Sequence, residues 1–133
     1  MITWVVEGRL ARASRPGYPL ERVDRPEVDA WIEAMNAEGI ATVLCLLAPS
    51  QLAYYEASLG EQGGLLSYYR QHGLDVCHVP VEDGKWPALS REELAQVTAA
   101  FASARKPVLV HCSAGIDRTG AAVRHLAGTP ARP

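Results

Sequence analysis

The chain has 133 residues, and its 48% hydrophobic and 21% charged residues are typical of a folded globular domain and exclude a mainly disordered chain. No apolar run approaches the ~20 residues that a membrane-spanning helix needs. Thirteen Lys and Arg residues against fifteen Asp and Glu residues also argue against a nucleic-acid-binding surface. At this length we expect one domain, covering residues 1–133.

The first half of the chain is predicted to contain two strands and three helices. A short edge strand is expected over residues 3–6, and the prolines in the segment after it indicate an irregular loop. Apolar side chains at helical spacing predict a helix over residues 26–38. The continuous apolar run at residues 40–47 is typical of a strand that is buried on both faces. Helices over residues 49–59 and 65–72 are expected to follow.

The second half of the chain continues this alternation. Residues 74–81 alternate between apolar and polar side chains, which predicts another strand. Ser90 and Glu93 form a capping-box pattern at the start of a helix whose apolar face continues to residue 104. A short apolar strand at residues 108–110 and a last helix at residues 121–126 complete the pattern. Strands separated by helices indicate an α/β fold with a largely parallel sheet, in which ligands bind beyond the carboxyl ends of the strands.

The segment directly after the strand at residues 108–110 carries the strongest functional signal. It reads His111-Cys112-Ser113-Ala114-Gly115-Ile116-Asp117-Arg118-Thr119-Gly120. The small residues at 113–115 allow the backbone N–H groups of residues 113–118 to converge, and the helix that follows adds the positive end of its dipole. The sequence therefore predicts a cradle for a tetrahedral dianion, closed by the planar guanidinium of Arg118.

The same environment predicts a nucleophile. A helix N-terminus and the guanidinium of Arg118 favour the thiolate form of Cys112, which would lie at the floor of a phosphate-shaped site, in line to attack phosphorus. Thr119 is expected to donate its hydroxyl to this sulfur, and His111 is expected to brace the loop through hydrogen bonds. Three cysteines and no signal-peptide pattern lead us to expect a reduced, cytoplasmic protein in which Cys45 and Cys77 are core residues.

A general acid is predicted one helix and one strand before the nucleophile. An alkoxide leaving group needs a proton, which a carboxylic acid on a loop supplies before it takes a proton from water. Asp83 follows the strand at residues 74–81, so the topology places it at the same sheet edge as Cys112. Asp83 is therefore the candidate acid, and Glu82 is its rival. Lys85 and Trp86 are expected to shape the mouth of the pocket.

These residues resemble the protein tyrosine phosphatase superfamily, whose signature is His-Cys-x5-Arg-Ser/Thr. Residues 4–11 and 79–84 are also similar to segments of the small atypical dual-specificity phosphatases. The resemblance implies a central, mostly parallel sheet of about four to five strands flanked by helices. It also implies hydrolysis of phosphomonoesters through a phosphocysteine, without metal or cofactor. The expected substrate is a phosphorylated protein or a small phosphomonoester, with no nucleic-acid or membrane partner, and the expected state is a monomer or weak homodimer.

The chain departs from the family pattern at two places. Asp117 stands before Arg118, where many members have glycine; we interpret it as a structural partner of the loop, with a backup acid and a substrate filter as alternatives. The sequence ends soon after Cys112, and Thr129–Pro133 cannot extend a helix, so the C-terminal helices are expected to be shortened. Glu56 is a candidate for the side chain that orients Arg118.

Three other interpretations stay open. A phosphatase of a non-protein substrate (a phosphoinositide, a nucleotide or an RNA 5′-phosphate) would use the same chemistry. A phosphate-binding pseudophosphatase would keep the cradle without turnover. A rhodanese or an arsenate reductase also places a cysteine in an anion-binding loop, but neither accounts for the segment around Asp83.

Overall fold

Five strands of four residues each form one sheet in the computed structural model, which describes residues 2–61 and 64–128. The strands are β1 (Thr3–Val6), β2 (Leu10–Ala13), β3 (Thr42–Cys45), β4 (Asp75–His78) and β5 (Val108–His111). Their order in the sheet is β1-β2-β5-β3-β4, and only β1 runs antiparallel to its neighbour. The sheet confirms the expected α/β fold.

Helices cover both faces of this sheet. They are α1 (Arg25–Ala37), α2 (Pro49–Leu52), α3 (Glu56–Leu59), α4 (Gly64–Gln71), α5 (Arg91–Ser103) and α6 (Asp117–Ala127), with a 3₁₀ turn at Ala53–Tyr55. One buried cluster joins the sheet to α1 and α4, and a second joins it to α5 and α6. Every residue of β3 and β5 is buried, because these central strands pack against helices on both sides.

The register of the parallel strands brings four strand ends to one edge. Ala13 and Cys45 both pair with His111, and Cys45 also pairs with His78. The segments that follow β2, β3, β4 and β5 therefore leave the sheet side by side. This edge is where the chemistry-bearing residues of the sequence meet.

The structure differs from the predicted elements in three places. Strand β2 is absent from the predicted elements, because its residues Leu-Ala-Arg-Ala include none that is β-branched and adjoin a proline-rich loop. The helix expected at residues 49–59 is broken into α2, the 3₁₀ turn and α3. The last helix begins at Asp117, four residues earlier than expected, so Arg118 and Thr119 lie in its first turn.

The last described residue is Gly128, which directly follows α6. Thr129–Pro133, on which the expectation of shortened C-terminal helices rests, lie outside the described residues. No helix in the described ranges has the length and apolarity required to span a membrane.

Candidate active site

The segment between β5 and α6 is held in place by residues of β2 and of the loop that follows it. Arg15 donates its backbone N–H to the carbonyl of Ser113 (3.0 Å) and its Nε to the hydroxyl of Ser113 (3.1 Å). Arg12 donates from Nη2 to the carbonyl of Gly115 (2.7 Å). Gly115 has φ +78°, and a Cβ there would lie 2.6 Å from the carbonyl oxygen of Ala13. Only glycine fits this close approach, so strand β2 and the loop are matched in shape.

These contacts engage carbonyl groups of the loop and leave its N–H groups available. Within the described residues, the backbone N–H groups of residues 113–118 donate no hydrogen bond. Asp117 and Arg118 are the first two residues of α6, so the positive end of the helix dipole lies beside these N–H groups. Unpaired backbone N–H groups at a helix N-terminus are suited to bind an oxyanion.

Arg118 binds protein oxygens mainly through one terminal nitrogen of its guanidinium, Nη1. The residue is 2% exposed, and its Nη1 donates to Gln51 Oε1 (2.8 Å), the carbonyl of Val81 (2.8 Å) and the carbonyl of Leu46 (3.3 Å). Its Nε is buried and, among the described residues, has no hydrogen-bond partner. A buried N–H without a partner is costly, whereas the Nε–Nη2 edge matches two oxygens of a phosphoryl group.

Asp83 contacts the guanidinium of Arg118 at its second terminal nitrogen, Nη2. Its Oδ2 is 3.2 Å from Nη2 of Arg118 and accepts a hydrogen bond from Nε2 of Gln51 (3.3 Å), while Oδ1 accepts from the N–H of Gly84 (2.9 Å). The side chain is 49% exposed, so it faces both the guanidinium and the solvent. The loop after β4 therefore holds a carboxyl group over the cradle, where the topology argument expected it.

Cys112 lies at the bottom of a small pocket. It is 2% exposed, and the pocket, of about 240 Å³, is lined by Tyr18, Asp83, Cys112, Ser113, Ala114, Asp117 and Arg118. All three cysteines are free thiols. Burial raises the pKa of Cys45 to about 12, so that thiol stays protonated beneath the site. Among the described cysteines, Cys112 is the one that lines this pocket.

His111 connects the loop to the core through both ring nitrogens. Nδ1 lies 3.1 Å from the carbonyl of Cys112, which only accepts, so Nδ1 carries the proton and Nε2 accepts from the hydroxyl of Tyr69 (3.0 Å). Burial lowers the pKa of His111 to about 4 and raises that of Tyr69 well above 10. Both groups are therefore neutral at neutral pH. Trp31 packs against both rings.

Three other residues of the predicted site are Thr119, Glu56 and Asp117. Thr119 Oγ1 is buried without a hydrogen-bond partner in the described part of the chain, so the expected bond to the sulfur of Cys112 is not formed. Glu56 lies on α3 and is not among the described hydrogen-bond partners of Arg118; the side chain that binds the guanidinium is Gln51. Asp117 is exposed at the first position of α6, at the rim of the pocket.

Sequence reasoning missed the side chains that support the site from other strands. These are Gln51 after β3, Arg12 within β2, and Arg15 and Tyr18 after β2. Arg15 is 2% exposed, and it also donates to the hydroxyl of Tyr55 (3.3 Å) and to the carbonyl of Leu20 (2.7 Å). The one available signal was a pair of arginines beside the Pro16-Gly17 turn, in a segment interpreted only as a loop.

Solved structures with this fold are found among phosphatases. A putative phosphatase (DUF442) from Shewanella putrefaciens CN-32 is 19% identical, with a TM-score of 0.62, over 92% of this chain and 67% of that one. Kinase associated phosphatase, with its catalytic cysteine replaced by serine, is 22% identical, with a TM-score of 0.64, over 92% and 68% of the two chains. The catalytic domain of the PP-IP phosphatase SIW14 from S. cerevisiae is 19% identical, with a TM-score of 0.59, over 97% and 68%.

The sequence itself matches a family model over most of its length. No curated protein matches it significantly. The model of the DSP-PTPase phosphatases of polymorphic toxin systems matches residues 24–127, which include the loop with Asp83, the segment after β5 and all of α6. Because this match covers far more than half of the chain, the protein belongs to the DSP-PTPase phosphatase family of polymorphic toxin systems.

Proposed function

We propose that the protein hydrolyses phosphomonoesters of protein side chains through a phosphocysteine, as a tyrosine or dual-specificity phosphatase. The observation that carries this proposal is the buried Nε of Arg118, which has no hydrogen-bond partner among the described residues. A buried guanidinium with three acceptors on Nη1 and none on Nε lines the same small pocket as Cys112. This arrangement suits a phosphoryl group placed directly over a sulfur nucleophile.

In the first step, the thiolate of Cys112 attacks phosphorus, so that the S–P bond forms and the P–O bond to the leaving group breaks. The leaving oxygen takes the electron pair and receives the proton of Asp83. In the second step, water attacks phosphorus, Asp83 takes its proton, and phosphate leaves as the thiolate returns. The N–H groups of residues 113–118 and the Nε–Nη2 edge of Arg118 stabilise the charge that develops on the phosphoryl oxygens.

The charges around the pocket favour a substrate with a single phosphoryl group. Asp83 and Asp117 both line the pocket, and Arg118 is the only cation that does so in the described residues. Arg12 and Arg15 lie nearby, but their guanidinium groups are bound to protein oxygens. A polyphosphate would bring further negative charge against two carboxylates, whereas a phosphorylated polypeptide need not.

The reaction also requires that Cys112 stays reduced. All three cysteines are free, and a reducing compartment such as the cytoplasm keeps them so. The substrate would be a phosphorylated protein in the same compartment.

The test is turnover of p-nitrophenyl phosphate in the presence of EDTA. Turnover should be lost in Cys112→Ser and kept in Cys77→Ser, whose thiol lies on β4 outside the pocket. Turnover that persists in Cys112→Ser would overturn the phosphocysteine mechanism, and a wild-type protein without turnover would be a pseudophosphatase.

The role of Asp83 and the substrate class are tested with the same preparations. Asp83→Asn should remove the alkaline limb of the pH–rate profile, and Glu82→Gln, at the exposed neighbouring carboxylate, should keep it. A panel of phosphotyrosine peptide, phosphoserine peptide and inositol hexakisphosphate then compares substrates by kcat/KM. A preference for inositol hexakisphosphate would contradict the proposed protein substrate.

A further inference from the structure

A groove with two strongly exposed apolar side chains adjoins the catalytic pocket. It has a volume of about 540 Å³ and is lined by Lys85, Trp86, Leu94, Ile116, Ala121 and Arg124, and we call it the side groove. It shares Asp83, Asp117 and Arg118 with the catalytic pocket, so the two are continuous. A substrate seated on Cys112 therefore has its neighbouring groups at the mouth of the side groove.

The exposure of these side chains is unusual for a folded domain. Trp86 is 94% exposed and Ile116 is 65% exposed, the two highest values among the large hydrophobic residues described. They come from different elements, Trp86 from the loop after β4 and Ile116 from the residue before α6. Single exposed apolar residues need no explanation, but two that line one groove beside a reaction centre mark a binding surface.

The charges in the side groove select the kind of group that fits it. The ammonium group of Lys85 contacts Glu93 (2.5 Å) and the carbonyl of Ala88 (3.1 Å), so its charge is already paired within the protein. Arg124, in the last turn of α6, and Arg118 are the other cations of the groove, and Asp83 and Asp117 are its carboxylates. This surface therefore combines apolar side chains with charges of both signs, and it has no excess of basic groups that are free to bind an anion. An anionic membrane surface would instead require a cluster of basic residues.

We propose that the side groove binds a large apolar side chain next to the phosphorylated residue of a polypeptide substrate, with Trp86 and Ile116 as its walls. The inference rests on the proposed phosphatase function and specifies its substrate. Burying roughly 55 Å² of apolar surface, about a third of an indole side chain, is enough for a tenfold preference at ~25 cal/mol per Å². Because Trp86 is almost fully exposed, replacing it should not disturb folding.

The test compares phosphotyrosine peptides that differ only in the residues flanking phosphotyrosine, which are leucine in one and serine in the other. The wild-type protein should show a kcat/KM about tenfold higher for the leucine peptide. Trp86→Ala should reduce this ratio to about one. Leu20→Ala, which removes an apolar side chain that is 51% exposed and lies outside both pockets, should keep the wild-type ratio.

Three outcomes would overturn the proposed subsite without contradicting the phosphocysteine mechanism. The first is an equal kcat/KM for the two peptides, and the second is a leucine preference that survives in Trp86→Ala. A third outcome is faster turnover of phosphoinositide in anionic vesicles than of either peptide, with loss of that activity in Trp86→Ala; this would assign the groove to a membrane surface. Absence of any Cys112-dependent turnover of p-nitrophenyl phosphate would instead overturn the proposed function itself.

Discussion

Gln51 joins Arg118, the proposed phosphate ligand, to Asp83, the candidate acid, and its replacement by leucine tests whether this bridge matters for activity. Its Oε1 accepts from Nη1 of Arg118 (2.8 Å) and from the backbone N–H of Ala48 (3.2 Å), while its Nε2 donates to Asp83 (3.3 Å). The residue is 8% exposed, so water cannot readily replace these partners. Gln51→Leu keeps a similar volume and removes all three hydrogen bonds.

The size of the effect follows from the bond to the guanidinium. A hydrogen bond to a charged group contributes about 1.5–3 kcal/mol. If this energy holds Arg118 in its transition-state position, its loss lowers kcat/KM by about 10- to 100-fold, since about 1.4 kcal/mol corresponds to a factor of ten. The free energy of unfolding should fall by about 1–3 kcal/mol. The loss is limited to this range because Nη1 of Arg118 still donates to the carbonyls of Leu46 and Val81.

The assay measures kcat/KM with p-nitrophenyl phosphate and the free energy of unfolding in urea on the same preparation. Gln71→Leu is the matched control, because Gln71 is exposed at the end of α4, and it should change neither quantity appreciably. Gln51→Glu keeps the acceptor for Arg118 but places a carboxylate beside Asp83. That like charge favours the protonated acid, so the alkaline limb of the rate profile should move to higher pH. Wild-type kcat/KM in Gln51→Leu would refute the bridge.

Two further predictions concern the frame of the loop. Gly115→Ala should destabilise the protein by more than Gly39→Ala in urea unfolding, because both sites have positive φ but only the Cβ at 115 meets a backbone oxygen (2.6 Å); equal losses would show that the close approach to Ala13 is unimportant. For His111, burial holds the folded pKa at about 4, below its ordinary value of 6.5. The unfolded chain therefore binds the proton first, and the free energy of unfolding should fall as the pH drops from about 6.5 towards 4. In NMR titrations the His111 ring should keep its neutral shifts down to pH 5, and a midpoint near 6.5 would contradict its burial.

The elements that the sequence predicted well are those whose signal is local. The buried strand β3 lies within the apolar run at residues 40–47, which predicted it. The capping box at Ser90 is formed as expected, because the side chains of Ser90 and Glu93 each accept a hydrogen bond from the other's backbone N–H. Strand β2 was missed because its identity depends on pairing with β1 and β5 rather than on its own residues.

The sequence by itself determined the chemistry at the floor of the site. The residues from His111 to Gly120 are neighbours along the chain, so their order alone predicts an anion cradle around a cysteine. Only the tertiary structure decided which groups orient that chemistry. Gln51 lies 67 positions from Arg118, and Arg12 lies 103 positions from Gly115. Such contacts arise where parallel strands end at one sheet edge, and no local pattern records which side chains the register brings together there.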